Sequence, residues 1–106
     1  MNHLKKFENI NKEDIDYNKI YLYKNKGGYV AIGKIKLINN CYTFYEYYDN
    51  HDTFEFGNLI VKIDYSKYYE DDYMRMNSED FDYLNIAPQD EIKKYNFALD
   101  SKKFNL

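Results

Sequence analysis

The sequence predicts an α+β domain: an antiparallel β-meander of five to six strands, curled or partly closed, with a C-terminal helix packed on it. Three observations carry that expectation. Apolar and polar residues alternate in short runs separated by Gly27-Gly28, Asn39-Asn40 and Gly57-Asn58, pairs that tolerate the backbone of tight hairpins. Pro88 then opens a stretch with Asp90 and Glu91 first and Lys93 and Lys94 after them, the order a helix dipole favours. Finally, 106 residues are enough for one hydrophobic core and not for two, so residues 1–106 read as a single domain.

Along the chain, residues 1–18 read as a short helix or extended segment. Leu4, Phe7 and Ile10 recur every three positions, and Asn11 with Asp14 suits the start of another helical turn. The meander occupies residues 19–63. Its first strand is 19–24, its second 29–38 and its third 41–48, with a short hairpin of 53–56 and 59–63 to follow. If Asn39-Asn40 forms a two-residue turn, Leu37 faces Tyr42 and Ile35 faces Phe44 on the more apolar side, which also receives Ala31 with Tyr48. The other side pairs Lys36 with Thr43, Lys34 with Tyr45 and Ile32 with Tyr47.

Glu46 breaks this pattern, because regular pairing sets it on the inner face opposite Gly33. Two readings follow: a buried carboxylate of raised pKa, or a β-bulge at Gly33 that resets the register and sends Glu46 outward. The bulge is the expectation. Residues 64–80 are polar and tyrosine-rich and read as a loop with a helical turn, 81–86 as the last strand and 88–99 as the helix, whose Ile92, Tyr95 and Leu99 share one face.

Function classes narrow next. No apolar run approaches the ~20 residues of a membrane span, and the lysine-containing N-terminus has no apolar h-region. A lone cysteine, Cys41, makes no internal disulfide and suits a reducing compartment. Asn, Lys, Ile and Tyr make up 51 of the 106 residues, the imprint of an A/T-rich genome such as that of a low-GC bacterium or its phage. The expected address is therefore the cytoplasm of a bacterial host.

Catalysis is poorly supplied. The sequence has no Gly-x-Gly-x-x-Gly, Walker loop, His-Glu-x-x-His or paired-cysteine spacing. His51 stands between Asp49 and Asp52 with Glu55 nearby, but Asn and Asp gather in turns for backbone reasons. Cys41 has no histidine neighbour and suits packing. Glu70, Asp71 and Asp72 are consecutive, and three consecutive side chains do not converge on one ion. We expect no enzyme, no catalytic residue, no metal and no cofactor.

The charge layout is the stronger signal. Residues 1–39 carry +4, residues 46–91 carry −10 and residues 92–106 carry +3, giving the net charge of −3. The acidic middle is densest where carboxylates alternate with tyrosines. Tyr68, Tyr69, Glu70, Asp71, Asp72, Tyr73, Glu79 and Asp80 are the candidate partner-binding residues, since tyrosine supplies stiff contact area and carboxylates a potential that attracts a basic surface. The partner expected is a host protein, including one that itself binds nucleic acid.

A competing reading uses Lys19, Lys24, Lys26, Lys34 and Lys36 with Tyr21, Tyr23 and Tyr29 as a small nucleic-acid-binding barrel. The isoelectric point near 5.3 opposes it. A small-ligand sequestering protein is a third reading, whose mark is a deep apolar pocket with convergent polar groups. An exposed strand edge would also allow a homodimer.

The early strand Tyr17-Asn18-Lys19-Ile20-Tyr21-Leu22-Tyr23, the meander and the Pro-opened helix in Asn85-Ile86-Ala87-Pro88-Gln89-Asp90-Glu91-Ile92 are similar to those of small phage and mobile-element proteins of the anti-defence type. Anti-CRISPR and antirestriction inhibitors belong to that class. The chain departs from it at Ala87, where such helices often carry a Thr cap. The resemblance implies a non-enzymatic inhibitor of a bacterial defence protein, some members of the class imitating DNA with surface carboxylates, and it carries over no catalytic residue.

Overall fold

The structure, a computed structural model, describes residues 10–50, 62–69 and 71–103. Among the described residues five antiparallel strands form an open sheet in the order β4-β3-β2-β1-β5. They are β1 (Tyr21–Lys24), β2 (Val30–Ile38), β3 (Cys41–Asp49), β4 (Met74–Arg75) and β5 (Leu84–Ile86), followed by helix α1 (Gln89–Lys103). The α+β class holds, and the sheet is not closed.

The hairpin of β2 and β3 is the backbone of the fold. Asn39 and Asn40 have φ of 52° and 64°, the pair of positive angles that a two-residue turn demands and that asparagine tolerates. Pairing runs Ile38 to Cys41, Leu37 to Tyr42, Lys36 to Thr43, Ile35 to Phe44 and Lys34 to Tyr45, as the turn predicts. Beyond Lys34 the register shifts, so Ile32 faces Tyr48 and Ala31 faces Asp49. The expected bulge is present. Its extra residue lies on β3, where Glu46 adopts φ 48° and turns outward to accept an ion pair from the Lys34 ammonium at 2.9 Å. The readings of Tyr47 and Tyr48 are thereby corrected: the bulge exchanges their faces, and Tyr48 rather than Tyr47 lies opposite Ile32.

That exchange builds two core layers. One face of the sheet carries Tyr21, Ala31, Ile35, Phe44, Tyr47 and Leu84 beneath Phe81. The other carries Ile32 and Tyr48 beneath Ala87 and Tyr95, with Ile92, Ala98 and Leu99 of α1 around them. Each buried aliphatic or aromatic side chain in such a layer stabilises by ~1.5–3 kcal/mol.

At β1 the chain turns back through Asn25, whose side-chain oxygen accepts the Gly27 and Tyr29 amides at 2.9 and 3.1 Å, while Gly28 takes φ 98°. The end of β3 is tied by Asn50, fully buried, which accepts the Val30 amide at 3.0 Å and donates to the Gly28 carbonyl at 2.9 Å. Asn11 stands at the start of a short helical turn, the 3-10 turn Lys12–Asp14. Leu4, Phe7 and the 53–61 part of the third hairpin lie outside the described residues, and Lys62 and Ile63 carry no strand.

Two further expectations are corrected. Residues 64–80 are not simply a loop: Tyr69 bridges to Tyr47, and Met74 and Arg75 pair with Phe44 and Thr43 as β4. Residues 81–86 are only half strand, because a 3-10 helix (Ser78–Tyr83) precedes Leu84. Its cause is local: the Asp80 carboxylate turns back to accept the Asn77 amide at 2.7 Å, and Phe81 is drawn into the core. This helix carries the chain across the first face of the sheet, so β5 pairs with β1 at the edge opposite β4. Helix α1 continues past Leu99 to Lys103, since Asp100-Ser101-Lys102 contains neither Gly nor Pro to stop it. Among the described residues no helix is long and apolar enough to cross a membrane.

Candidate docking surface

The acidic, tyrosine-rich stretch is divided by the fold. Tyr68 and Tyr69 are adjacent in an extended segment, so their side chains leave on opposite sides. Tyr68 packs against Tyr48 under the helix layer with ring centroids 5.2 Å apart, and the Lys102 ammonium lies 5.5 Å from its ring. Tyr69 stacks on Tyr47 in the other layer, 4.9 Å apart and 16° from parallel. Both are half-buried and pack against the two core layers.

Asp71, Asp72 and Tyr73 are exposed, Tyr73 by 52%. The reason is a mismatch in chain length. The segment clips onto β3 at Tyr69, whose amide donates to the Tyr47 carbonyl at 3.1 Å, and again where Met74 pairs with Phe44. Between the two clips β3 has only Tyr45 and Glu46, so the longer facing segment cannot pair residue for residue and Asp71, Asp72 and Tyr73 are exposed at the sheet edge. Glu70 itself lies outside the described residues.

Glu79 and Asp82 are exposed on the 3-10 helix, Glu79 beside Asn25 and Lys26 of the β1–β2 turn. Asp80 is turned inward and accepts from the Tyr23 hydroxyl at 3.0 Å as well as from the Asn77 amide. Its role is architectural. The carboxylates therefore form two groups, Asp71 with Asp72 at the β4 edge and Glu79 with Asp82 along the 3-10 helix.

The Lys/Tyr reading of residues 19–36 meets the same geometry. Tyr21 is fully buried, and the hydroxyls of Tyr23 and Tyr29 donate to Asp80 and to the buried Asp49, the latter at 2.5 Å. Tyr21 lies in the core layer, and Tyr23 and Tyr29 pack against it half-buried. Lys36 finds other tyrosines: its ammonium sits 4.3 Å from the Tyr45 ring centroid and 5.5 Å from that of Tyr73. Arg75 donates to the Cys41 sulfur at 3.4 Å.

Several tyrosines carry their environment in their acidity. Burial, then the Asp80 carboxylate, push Tyr23 up to about 12, and burial with the charges of Asp72 and Asp49 does the same for Tyr47. Tyr29, Tyr65 and Tyr95 are raised further, each first by burial and then by Asp49, Glu91 or Glu46 respectively. A raised phenol holds its proton in the folded state after the unfolded chain has released it. The stabilisation is therefore complete below pH 10 and declines as pH rises through about 12. The melting temperature should stay level from neutral pH to about 10 and fall steeply above it, with tyrosinate absorbance rising together with unfolding. A level melting temperature through pH 12 would contradict these environments.

A hollow of about 530 Å³ lies beside the start of α1, lined by Leu22, Lys24, Val30, Ile63, Pro88 and Lys94 among others. Its polar groups serve one another: Glu91 accepts from the Tyr65 hydroxyl at 2.8 Å and lies 3.6 Å from the Lys94 ammonium. No group of three His, Cys, Asp or Glu side chains among the described residues is arranged to hold a metal ion. His51, Asp52 and Glu55 lie outside the described residues. Compared with known proteins, the chain matches no family model, no curated protein and no solved structure.

Proposed function

We propose that this chain is a non-enzymatic protein-binding inhibitor, phage-encoded, that occupies a basic functional surface on a bacterial defence protein. The observation that supports it is the exposure of Asp71, Asp72 and Tyr73 at the sheet edge, where two exposed carboxylates precede an exposed ring. Glu79 and Asp82 extend the negative surface along the 3-10 helix. Carboxylates so displayed would stand where phosphates stand on a nucleic-acid-binding partner, and Tyr73 would supply the anchoring contact area. Tyr68, Tyr69 and Asp80 then support this surface from behind, as packing and capping groups. The likeness of the early strand and the Pro-opened helix to anti-defence proteins, and the A/T-rich residue usage, support the phage origin.

The test is capture from a bacterial host followed by purification of the captured protein and titration against variants. The double reversal Asp71→Lys with Asp72→Lys should weaken binding by tenfold or more, about 1.4 kcal/mol, with an unchanged melting temperature. In host cells with an active defence, expression of the chain should raise phage plating, and the double reversal should remove that effect. Equal affinity of the reversed variant for the purified partner, or phage plating that the chain does not change, would overturn the reading.

A further inference from the structure

The helix-side face of the sheet is only partly covered by α1. Tyr95 reaches Tyr48 and donates its hydroxyl to the Glu46 carbonyl at 2.6 Å. Past that point, toward the β2–β3 turn, the strand register fixes which side chains stand together. Lys36, Thr43 and Arg75 are successive cross-strand partners over β2, β3 and β4, and Lys34 pairs with Tyr45 one step along. Tyr73, two residues before Arg75, completes that second row, as its 5.5 Å approach to the Lys36 ammonium requires. The result is a lattice of Lys34, Tyr45 and Tyr73 beside Lys36, Thr43 and Arg75. Thr43 is buried as its floor, its hydroxyl donated to the Cys41 carbonyl at 3.0 Å. Neither Tyr45 nor Tyr73 belongs to either core layer.

We infer that this lattice is a binding platform for single-stranded nucleic acid. It goes beyond the acidic docking surface and shares only Tyr73 with it. Cross-strand neighbours stand about 4.8 Å apart, and like-facing residues along a strand about 6.8 Å apart. Rings and cations therefore alternate at a pitch that an extended single strand can follow, bases on the tyrosine faces and phosphates on Lys36 and Arg75. Among the described residues the Glu46 carboxylate is held by Lys34, while Lys36 is directed at rings and Arg75 at the Cys41 sulfur. Among the described residues the Lys36 ammonium lies against these two rings, Tyr45 and Tyr73, a weak contact that a phosphate displaces. An acidic peptide would meet the same cations but has no flat groups to use the two rings. A duplex keeps its bases stacked inside.

Fluorescence anisotropy with labelled oligonucleotides of about ten nucleotides tests this. Single-stranded dT and rU oligonucleotides should bind with affinity that falls as salt rises, and the matching duplex at least tenfold more weakly. Lys36→Glu with Arg75→Glu should abolish binding. Tyr73→Ala should weaken it roughly tenfold and Tyr73→Phe should restore it, which a purely electrostatic surface would not do. Asp71→Lys with Asp72→Lys should leave single-strand binding intact or strengthen it, so failure here and failure of the protein-docking reading are separable. No single-strand binding at low salt, equal affinity for the duplex, insensitivity to Tyr73→Ala, or full displacement by polyglutamate would each overturn the inference. Melting curves of every variant establish that the fold is retained, and Lys36→Glu alone serves if the double variant is not stable.

Discussion

Gly33→Ala is expected to cost ~2–3 kcal/mol, a large share of the ~5–15 kcal/mol that holds such a domain together. A methyl group at residue 33 would meet the Tyr47 Cβ at 2.6 Å, with the Tyr45 carbonyl oxygen and the Tyr47 Cα at 3.0 Å. These are backbone atoms and the root of a buried side chain, so no rotamer change makes room. The bulge would have to open, and with it the register that assigns Tyr47 to one layer and Tyr48 to the other. A control separates this crowding from backbone strain. Glu46 bears the positive φ of the bulge, and Glu46→Gly relieves it while losing the half-exposed Lys34 pair, so its net effect should stay within about 1 kcal/mol. Urea denaturation of the two variants checks the pair of outcomes. If Gly33→Ala is as mild as Glu46→Gly, close approach at the bulge does not hold the register.

This bulge also shows what the sequence could and could not disclose. A carboxylate opposite a glycine, in the middle of an otherwise consistent apolar row, was a conflict visible in the letters, and only a register change resolved it. The Asn39-Asn40 turn was legible because its chemistry is contained in two residues. Strand β4 was not, since two residues in a polar stretch carry no periodicity and its pairing is fixed by β3, some thirty positions away. The crossing to β5 was hidden for the same reason, although the spacing of Asn77 and Asp80 ahead of Phe81 is a helix-start signal that would have located the 3-10 helix. Among the candidate contacts, local composition separated acids from bases but not outside from inside. Tyr68, Tyr69 and Tyr73 look alike in sequence, and the folded pairing with β3 leaves the first two half-buried and the third exposed. The platform of Lys36, Tyr45, Tyr73 and Arg75 was equally out of reach, because half of it belongs to β4 and its approach.

Tyr48→Ala should be the most damaging side-chain truncation, at ~3–5 kcal/mol by analogy with other buried aromatic residues. Its ring is 1% exposed and stands between Tyr65 and Tyr68, each 5.2 Å away, and Tyr95, 5.9 Å away and nearly perpendicular. Alanine would leave a cavity bounded by three rings whose own positions depend on the missing one. Tyr95 anchors α1, so the helix should loosen first, and its amides should lose hydrogen-exchange protection more than those of β2. The same helix provides the comparison: Phe97, 74% exposed, should tolerate alanine within about 0.5 kcal/mol although it too is aromatic. Tyr95→Phe, which removes only the 2.6 Å bond to the Glu46 carbonyl, should fall between them at about 1 kcal/mol. A Tyr48→Ala protein that melts within a few degrees of the parent, or that loses protection uniformly over sheet and helix, would mean that α1 is not held through this ring. The exchange of faces produced by Glu46 would then have no energetic consequence for the helix layer.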